Sequence, residues 1–144
     1  MFRIANTSMV GFSTFDLFRP DITIRILDTI KDPPNPNFPN LEFSSNPFPN
    51  ATEFCFRFDD VTNEEDPDCI VEEQAKMLYN ILTHAAENRL NVLSHCVMGK
   101  CRSGAITDAG AIIAQSMDIP VLRHDNRAIP NSAVKSMILR HLYL

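Results

Sequence analysis

The stretch Leu90-Asn-Val-Leu-Ser-His-Cys-Val-Met-Gly-Lys-Cys-Arg-Ser-Gly104 decides the fold of this chain. Its first part, around Leu90, Val92 and Leu93, is typical of a short buried strand. The residues that follow it, Ala105 to Ser116, are rich in alanine and isoleucine and predict an apolar helix. A loop that opens onto a helix N-terminus presents free backbone N–H groups and the positive end of the helix dipole, which attract a dianion. We therefore expect an anion-binding loop between a strand and a helix.

The loop contains a nucleophile and a cation, Cys96 and Arg102, with five residues between them. A thiol surrounded by N–H donors and close to a guanidinium is favoured as the thiolate, the form that attacks phosphorus. The planar fork of Arg102 matches two phosphoryl oxygens at once. Gly99 removes a Cβ where the backbone must curve around the anion, and Ser103 is placed to stabilise the sulfur as a leaving group. His95 is expected to support the loop rather than to exchange protons.

We expect phosphate to be bound by a continuous run of loop residues. These are Val97, Met98, Gly99, Lys100, Cys101, Arg102 and Ser103. The non-functional alternative is a buried cysteine beside a helix-capping turn, but that interpretation leaves the glycine, the lysine and the arginine of the loop together unexplained.

These residues resemble a known family, the cysteine-based protein tyrosine and dual-specificity phosphatases, whose signature is H-C-x-x-G-x-x-R-[ST]. The matching positions are His95, Cys96, Gly99, Arg102 and Ser103. The resemblance implies a phosphomonoester hydrolase that forms a phosphocysteine intermediate and acts on a phosphorylated protein or peptide, with no cofactor and no metal ion. The order of elements along most of the chain is also similar to that of small tyrosine-phosphatase-like proteins of phages and bacteria.

The same resemblance implies a general-acid aspartate on a loop upstream of the cysteine. The segment Thr52 to Phe58 alternates as a strand does, and Asp59 and Asp60 follow at its carboxyl end, where the phosphate loop also begins in an open parallel sheet. Phosphatases of this family often carry F-x-D before an aliphatic residue, which favours Asp60 as the acid and leaves Asp59 as the alternative. Asp66, followed by a proline, is predicted to be a helix N-cap with Pro67 at the first helical position.

Two other functions remain open on the sequence. One is a phosphate-recognition module without turnover, which would keep Cys96 and Arg102 but misplace the acid. The other is a phosphoinositide phosphatase, because Gly99-Lys100 is similar to the Gly-Lys of those enzymes. The apolar neighbours Val97 and Met98 do not favour that second alternative, since phosphoinositide phosphatases usually carry further basic residues in this loop.

Cys101 allows two further interpretations. Low-molecular-weight tyrosine phosphatases have the same C-x4-C-R-S spacing. Their loop lies at a different place in the chain order, which excludes that fold here. The spacing still raises the hypothesis of a reversible disulfide between Cys96 and Cys101. A zinc site from His95, Cys96 and Cys101 lacks a fourth ligand and would set a cation beside Arg102, so no metal site is expected.

Composition indicates a single globular domain over residues 1–144. With 44% hydrophobic and 22% charged residues, a chain of this length can bury a sizeable core. The net charge of −5 argues against nucleic acid as a main partner, and no stretch approaches the roughly 20 apolar residues that cross a bilayer. Met1 to Val10 lacks the charged and apolar regions of a signal peptide, so we expect a cytoplasmic protein without membrane insertion.

Periodicity predicts the remaining elements. Strands are predicted over 22–28, 52–58 and 90–95. Helices are predicted over 68–88, 105–116 and 132–142. The segment Asp32 to Asn50 has six prolines in nineteen residues and predicts a long surface loop. The expected fold class is α/β, a three-layer αβα domain with a central, mainly parallel sheet, like that of the tyrosine and dual-specificity phosphatases.

Overall fold

The structure is a computed structural model that describes residues 1–125 and 128–143. Within those two ranges the chain forms five strands, four α-helices and a final 3₁₀ helix. The strands are β1 (Phe2–Ser8), β2 (Ile22–Leu27), β3 (Thr52–Arg57), β4 (Val92–Cys96) and β5 (Val121–His124). The helices are α1 (Met9–Phe12), α2 (Glu72–Glu87), α3 (Arg102–Ser116) and α4 (Ser132–Leu139), and the 3₁₀ helix spans Arg140–Tyr143.

The five strands of the described ranges form one parallel sheet in the order β3-β2-β4-β1-β5. The central strand β4 pairs with β1 on one side and with β2 on the other. Every residue of β2 and of β4 is buried, as expected for the inner strands of a sheet that is covered on both faces. This confirms the predicted fold class, an α/β protein with a central parallel sheet between two layers.

One face of the sheet carries the main core. Helices α2, α3 and α4 pack together on this face, and Ile4 and Ile24 of the sheet join Leu78 and Leu82 of α2 in one buried cluster. The apolar spacing that predicted α2 is therefore the spacing of its core side chains. No helix in the described part of the chain is both long and apolar enough to cross a membrane.

The other face of the sheet is covered by α1 and by part of the proline-rich segment between β2 and β3. Phe12 of α1 contacts Phe48 of that segment edge-to-face, with ring centroids 5.4 Å apart. Apart from an isolated bridge between Asn35 and Phe38, the segment contains no strand or helix, as predicted. Neighbouring parallel strands usually need a helical crossover. Here an extended segment makes the crossover from β2 to β3 and also supplies the covering layer.

Strands β1 and β5 lie outside the predicted elements. β1 is buried along most of its length but contains the polar residues Asn6 and Thr7, which interrupt its apolar pattern. β5 has only four residues, none of them fully buried. Periodicity is weak in both cases because β1 keeps polar side chains inside and β5 is a short edge strand.

Helix α2 begins later than predicted, and the prediction of Asp66 as its N-cap with Pro67 as its first helical residue is wrong. Asp66 Oδ1 instead accepts the backbone N–H of Asp68 at 2.8 Å in a local turn. The helix N-cap is Val71, whose N–H is accepted by the Gln74 side chain at 3.0 Å. Between this turn and the cap, Cys69 and Ile70 are buried against the core.

Candidate active site

The loop after β4 lies at the carboxyl edge of the sheet, where the sequence predicts it. We name residues 96–102 the anion loop: β4 ends at Cys96 and α3 begins at Arg102. The residue before α3, Cys101, makes no side-chain capping hydrogen bond, so no cap side chain occupies the first amides of the helix. Uncapped amides at a helix N-terminus are suited to bind an anion.

The Cys96 sulfur lies inside the anion loop, and the residue is 2% exposed. Sγ accepts the backbone N–H of Gly99 at 3.2 Å, and the Ser103 hydroxyl oxygen lies 3.2 Å from it. Hydrogen-bond donors around a sulfur favour its anionic form. The structure thus brings together three of the residues selected from the sequence.

Gly99 gives the anion loop its curvature. Its φ is +74°, and a Cβ at this position would lie 2.3 Å from the Ser8 backbone nitrogen. Its carbonyl accepts a hydrogen bond from Asn6 Nδ2 at 2.7 Å, and Asn6 Oδ1 accepts one from Thr107 Oγ1 at 3.0 Å. Strand β1, which the sequence did not connect with the site, therefore supports the loop through a buried amide.

Arg102 is 5% exposed and is held by the ends of two strands. Its Nη1 donates to Asp28 Oδ1 at 2.6 Å and to the Phe58 carbonyl at 2.8 Å. These contacts fix the plane of the guanidinium through one nitrogen, and the Nε and Nη2 edge forms the second donor pair of the fork. Asp28 is not among the residues selected from the sequence, and its position directly after β2 is the one signal that points to it.

Asp60 contacts both the anion loop and the start of α4. Its Oδ1 accepts a hydrogen bond from Asn131 Nδ2 at 2.7 Å. Burial raises the pKa of the neighbouring Cys101 thiol, and the Asp60 carboxylate beside it raises this pKa further. The second aspartate after β3 is therefore the one that lies against the anion loop.

Asp59 belongs to a separate ionic cluster. Its Oδ1 accepts the Thr29 N–H at 2.9 Å, and its Oδ2 lies 3.0 Å from Lys31 Nζ, which also pairs with Asp68 at 2.6 Å. Burial acts to raise the pKa of Asp59, but hydrogen bonds from Thr29 and Lys31 outweigh it and lower the pKa below the ordinary value. This carboxylate is consequently held ionised and turned towards the β2–β3 connection.

His95 is completely buried beneath the anion loop. Its Nε2 accepts a hydrogen bond from Arg25 Nε at 3.0 Å, and its ring packs 4.7 Å from the Phe12 ring. Burial and the positive charge of Arg25 lower the pKa of His95 to about 4. The ring is therefore neutral near pH 7, which suits the supporting role expected from the sequence.

A cavity of about 450 Å³ opens beside the anion loop. Its polar lining consists of Asp28, Asn37, Asp59, Asp60 and Arg102, and its apolar lining consists of Phe38, Pro39, Leu41, Val61, Val97 and Met98. One wall thus comes from the proline-rich segment, which borders the site. Of the loop residues predicted to bind phosphate, three line the cavity, and the others, Gly99, Lys100, Cys101 and Ser103, are not in its lining.

The residues that the structure describes contain no group of three or more histidine, cysteine, aspartate and glutamate side chains placed to hold a metal ion. The four cysteines of the chain all lie in the described ranges and are unpaired there.

The fold and the site define a class of protein: an α/β domain with a cysteine-containing anion loop at the carboxyl edge of a parallel sheet. Comparison with protein-family models gives no match, and comparison with curated proteins gives none either. The resemblance to cysteine-based phosphatases therefore depends on the motif of the anion loop and on the order of the elements.

Proposed function

We propose that this protein is a phosphomonoester hydrolase, a cysteine-dependent protein tyrosine or dual-specificity phosphatase. The observation that carries the proposal is the position of Cys96 inside a loop at the N-terminus of α3, hydrogen-bonded to Gly99 and Ser103 and followed by the buried Arg102. A nucleophile, anion-binding amides and a guanidinium in one place are the parts that phosphoryl transfer through a thiol needs.

In the first chemical step the Cys96 thiolate attacks phosphorus, and the bond from phosphorus to the leaving oxygen breaks. Arg102 holds two phosphoryl oxygens through its Nε and Nη2 edge while Asp28 keeps the guanidinium plane fixed. Asp60, in its carboxylic acid form, donates its proton to the leaving oxygen. The products of this step are an alcohol or phenol, a phosphocysteine and an ionised Asp60.

In the second step water attacks the phosphocysteine. The Asp60 carboxylate takes a proton from that water, the S–P bond breaks, and inorganic phosphate leaves. Cys96 departs as a thiolate, and the Ser103 hydroxyl, 3.2 Å from the sulfur, donates a hydrogen bond to it. Both steps then use the same acid–base group, and the enzyme returns to its starting state.

The contacts of the two neighbouring aspartates favour Asp60 as the acid. Asp59 is engaged by Thr29 and Lys31 and has a lowered pKa, so it is poorly suited to donate a proton. Asp60 is exposed and lies on the side of the anion loop, where Asn131 fixes one carboxylate oxygen. The other oxygen remains to face a leaving group.

The lining of the cavity favours an aryl phosphate, such as phosphotyrosine, over a phosphoinositide. The side chains of Phe38, Val61 and Met98 supply apolar surface for an aromatic ring. Among the described residues, three carboxylates line this cavity with one cation, Arg102, an arrangement that disfavours a headgroup carrying several phosphates. A phosphorylated protein or peptide in the cytoplasm, where thiols stay reduced, is the expected substrate.

The decisive experiment is hydrolysis of p-nitrophenyl phosphate and of a phosphotyrosine peptide in reducing buffer with EDTA. The wild-type protein is compared with Cys96→Ser, which keeps the loop amides and Arg102. We expect phosphate release by the wild type, none by the variant, and retention of phosphate binding by both. Phosphate binding without release by the wild type would instead identify a recognition module.

A further inference from the structure

Arg25 is the largest fully buried side chain in the described part of the chain. It lies in β2 at 1% exposure, and all three guanidinium nitrogens are hydrogen-bonded. Nε donates to His95 Nε2 at 3.0 Å, Nη1 donates to Glu53 Oε1 and to the Ser44 carbonyl, each at 2.8 Å, and Nη2 donates to Ser44 Oγ at 2.7 Å. The guanidinium carbon also lies 4.7 Å from the centre of the Phe12 ring.

Stability alone does not account for a buried guanidinium at this position. Removing a charge from water costs free energy that its ion pair often does not recover, and apolar side chains of similar size frequently serve the fold as well. The ion-pair partner Glu53 keeps 30% of its side chain exposed, so water can solvate it without Arg25. The feature that calls for an explanation is therefore the pattern of hydrogen bonds made by the Arg25 guanidinium.

The Arg25 guanidinium determines which nitrogen of His95 carries the proton. Because Arg25 donates to Nε2, the neutral ring must be protonated at Nδ1. Within the described residues Nδ1 has no hydrogen-bond partner of normal geometry. The Cys96 backbone is nevertheless close enough to act on the pKa of His95 by hydrogen bonding, in the direction opposite to burial. The protonated nitrogen thus belongs to the residue that directly precedes the nucleophile in the chain.

We propose that Arg25 is a positioning residue that connects the proline-rich segment to the nucleophile through His95. Ser44 and Glu53 hold the guanidinium, the guanidinium fixes the tautomer and the orientation of His95, and the peptide bond after His95 joins this fixed residue to Cys96. Without Arg25 the ring is free to exchange its tautomer, and a nitrogen lone pair can then face the Cys96 backbone. The inference depends on the proposed role of Cys96 as the nucleophile.

The first test measures the reactivity of Cys96 directly and needs no turnover. Wild-type protein and Arg25→Met are treated with iodoacetamide across a range of pH. Trypsin cleaves after Lys100, so Cys96 and Cys101 fall on different peptides and mass spectrometry follows Cys96 alone. We expect the alkylation rate of Cys96 in Arg25→Met to fall about tenfold at pH 6 and to stay within about twofold at pH 9, because the thiolate is less favoured.

Arg57→Met is the matched control. Arg57 also holds the proline-rich segment, through the Leu41 carbonyl at 2.9 Å and the Phe43 ring at 4.9 Å. Its Nη1 donates to the Asp28 carbonyl at 3.0 Å, and its contacts do not include His95. We expect this variant to keep the wild-type alkylation profile. If Arg57→Met shifts the profile as much as Arg25→Met does, or if folded Arg25→Met reacts as the wild type does, the proposal is overturned.

The second test reads the tautomer of His95 in the wild-type protein and uses a variant only to assign the signal. Nitrogen-15 spectra of the imidazole, assigned by comparison with His95→Asn, are expected to show protonated Nδ1 and unprotonated Nε2. The opposite tautomer would overturn the proposal. Absence of phosphatase activity alongside the expected tautomer and alkylation profile would remove the proposed function but leave the coupling of Arg25 to Cys96 intact.

Discussion

The side-chain amide of Asn131 joins the candidate acid, Asp60, to the last helix. Nδ2 donates to Asp60 Oδ1 at 2.7 Å and to the Val61 carbonyl at 3.1 Å, while Oδ1 accepts N–H groups from the first turn of α4. The backbone N–H of Asn131 donates to the Cys101 carbonyl at 2.9 Å. One buried residue therefore fixes Asp60, the anion loop and the start of α4 relative to each other.

Substitution of Asn131 by serine separates these contacts. Serine is also a good N-cap, so we expect the free energy of unfolding of Asn131→Ser in urea to lie within about 1 kcal/mol of the wild-type value. Serine cannot reach Asp60, so turnover of phenyl phosphate is expected to fall about tenfold. Asn131→Ala, which removes the capping side chain as well, is the control. Its free energy of unfolding should be about 1 kcal/mol lower than that of Asn131→Ser. Full activity of Asn131→Ser would show that Asp60 needs no such support.

The roles of the two aspartates are distinguished by substrates with different leaving groups. We expect Asp60→Asn to lower turnover of phenyl phosphate by about a hundredfold, because the poor leaving group departs only with a proton. Turnover of an activated aryl phosphate should fall much less. Asp59→Asn is the matched control and is expected to leave this difference between the two substrates unchanged. A larger effect of Asp59→Asn on the slow substrate would reverse the assignment of the acid.

The curvature of the anion loop depends on the missing side chain of Gly99. Because the backbone is left-handed there and a Cβ would overlap the Ser8 backbone, we expect Gly99→Ala to lose about 2 kcal/mol of unfolding free energy in urea. Phosphate affinity, measured by calorimetry with Cys96→Ser as the background, should fall with it. Met98→Ala changes an exposed neighbour in the same loop and is expected to keep the wild-type stability. Equal stability of both variants would contradict this account of the loop.

The parts of the candidate site that could be predicted are those whose residues are contiguous in the sequence. The run from His95 to Ser103 predicts the loop between a strand and a helix from the spacing of its cysteine, glycine and arginine alone. The helix itself begins at Arg102, three residues before the predicted start at Ala105. The sequence narrows the candidate acid after β3 to two neighbouring aspartates, Asp59 and Asp60. The final choice depends on contacts made by Thr29 and Asn131, which are distant in sequence.

The supporting residues could not be predicted because their roles arise from pairing across the sheet. Asn6 reaches Gly99 only because β1 lies beside β4, and Arg25 meets His95 because β2 pairs with β4 in that register. A polar residue in an apolar strand weakens the pattern by which the strand is recognised. The role of Asp28 could not be predicted for the same reason, since its partner Arg102 lies far along the chain.

The buried His95 makes stability depend on pH in a defined window. Its pKa falls from an ordinary value of 6.5 to about 4 in the folded protein, so between these values the unfolded chain binds a proton that the folded protein does not. Stability from this group is therefore complete above the unfolded value and is lost as the pH falls towards 4. We expect the free energy of unfolding in urea to drop by about 2 kcal/mol from pH 7 to pH 5 through this group.

His95→Asn is the control, because asparagine does not titrate in this range. The comparison is made between the two pH values within each protein, so the cost of the substitution itself cancels. Asp59 does not contribute to the same window, since its pKa is lowered from an ordinary value of 3.8, already below pH 5. If the variant loses as much stability between pH 7 and pH 5 as the wild type does, then the imidazole of His95 is solvated or paired in the folded protein and is not held neutral by burial and Arg25.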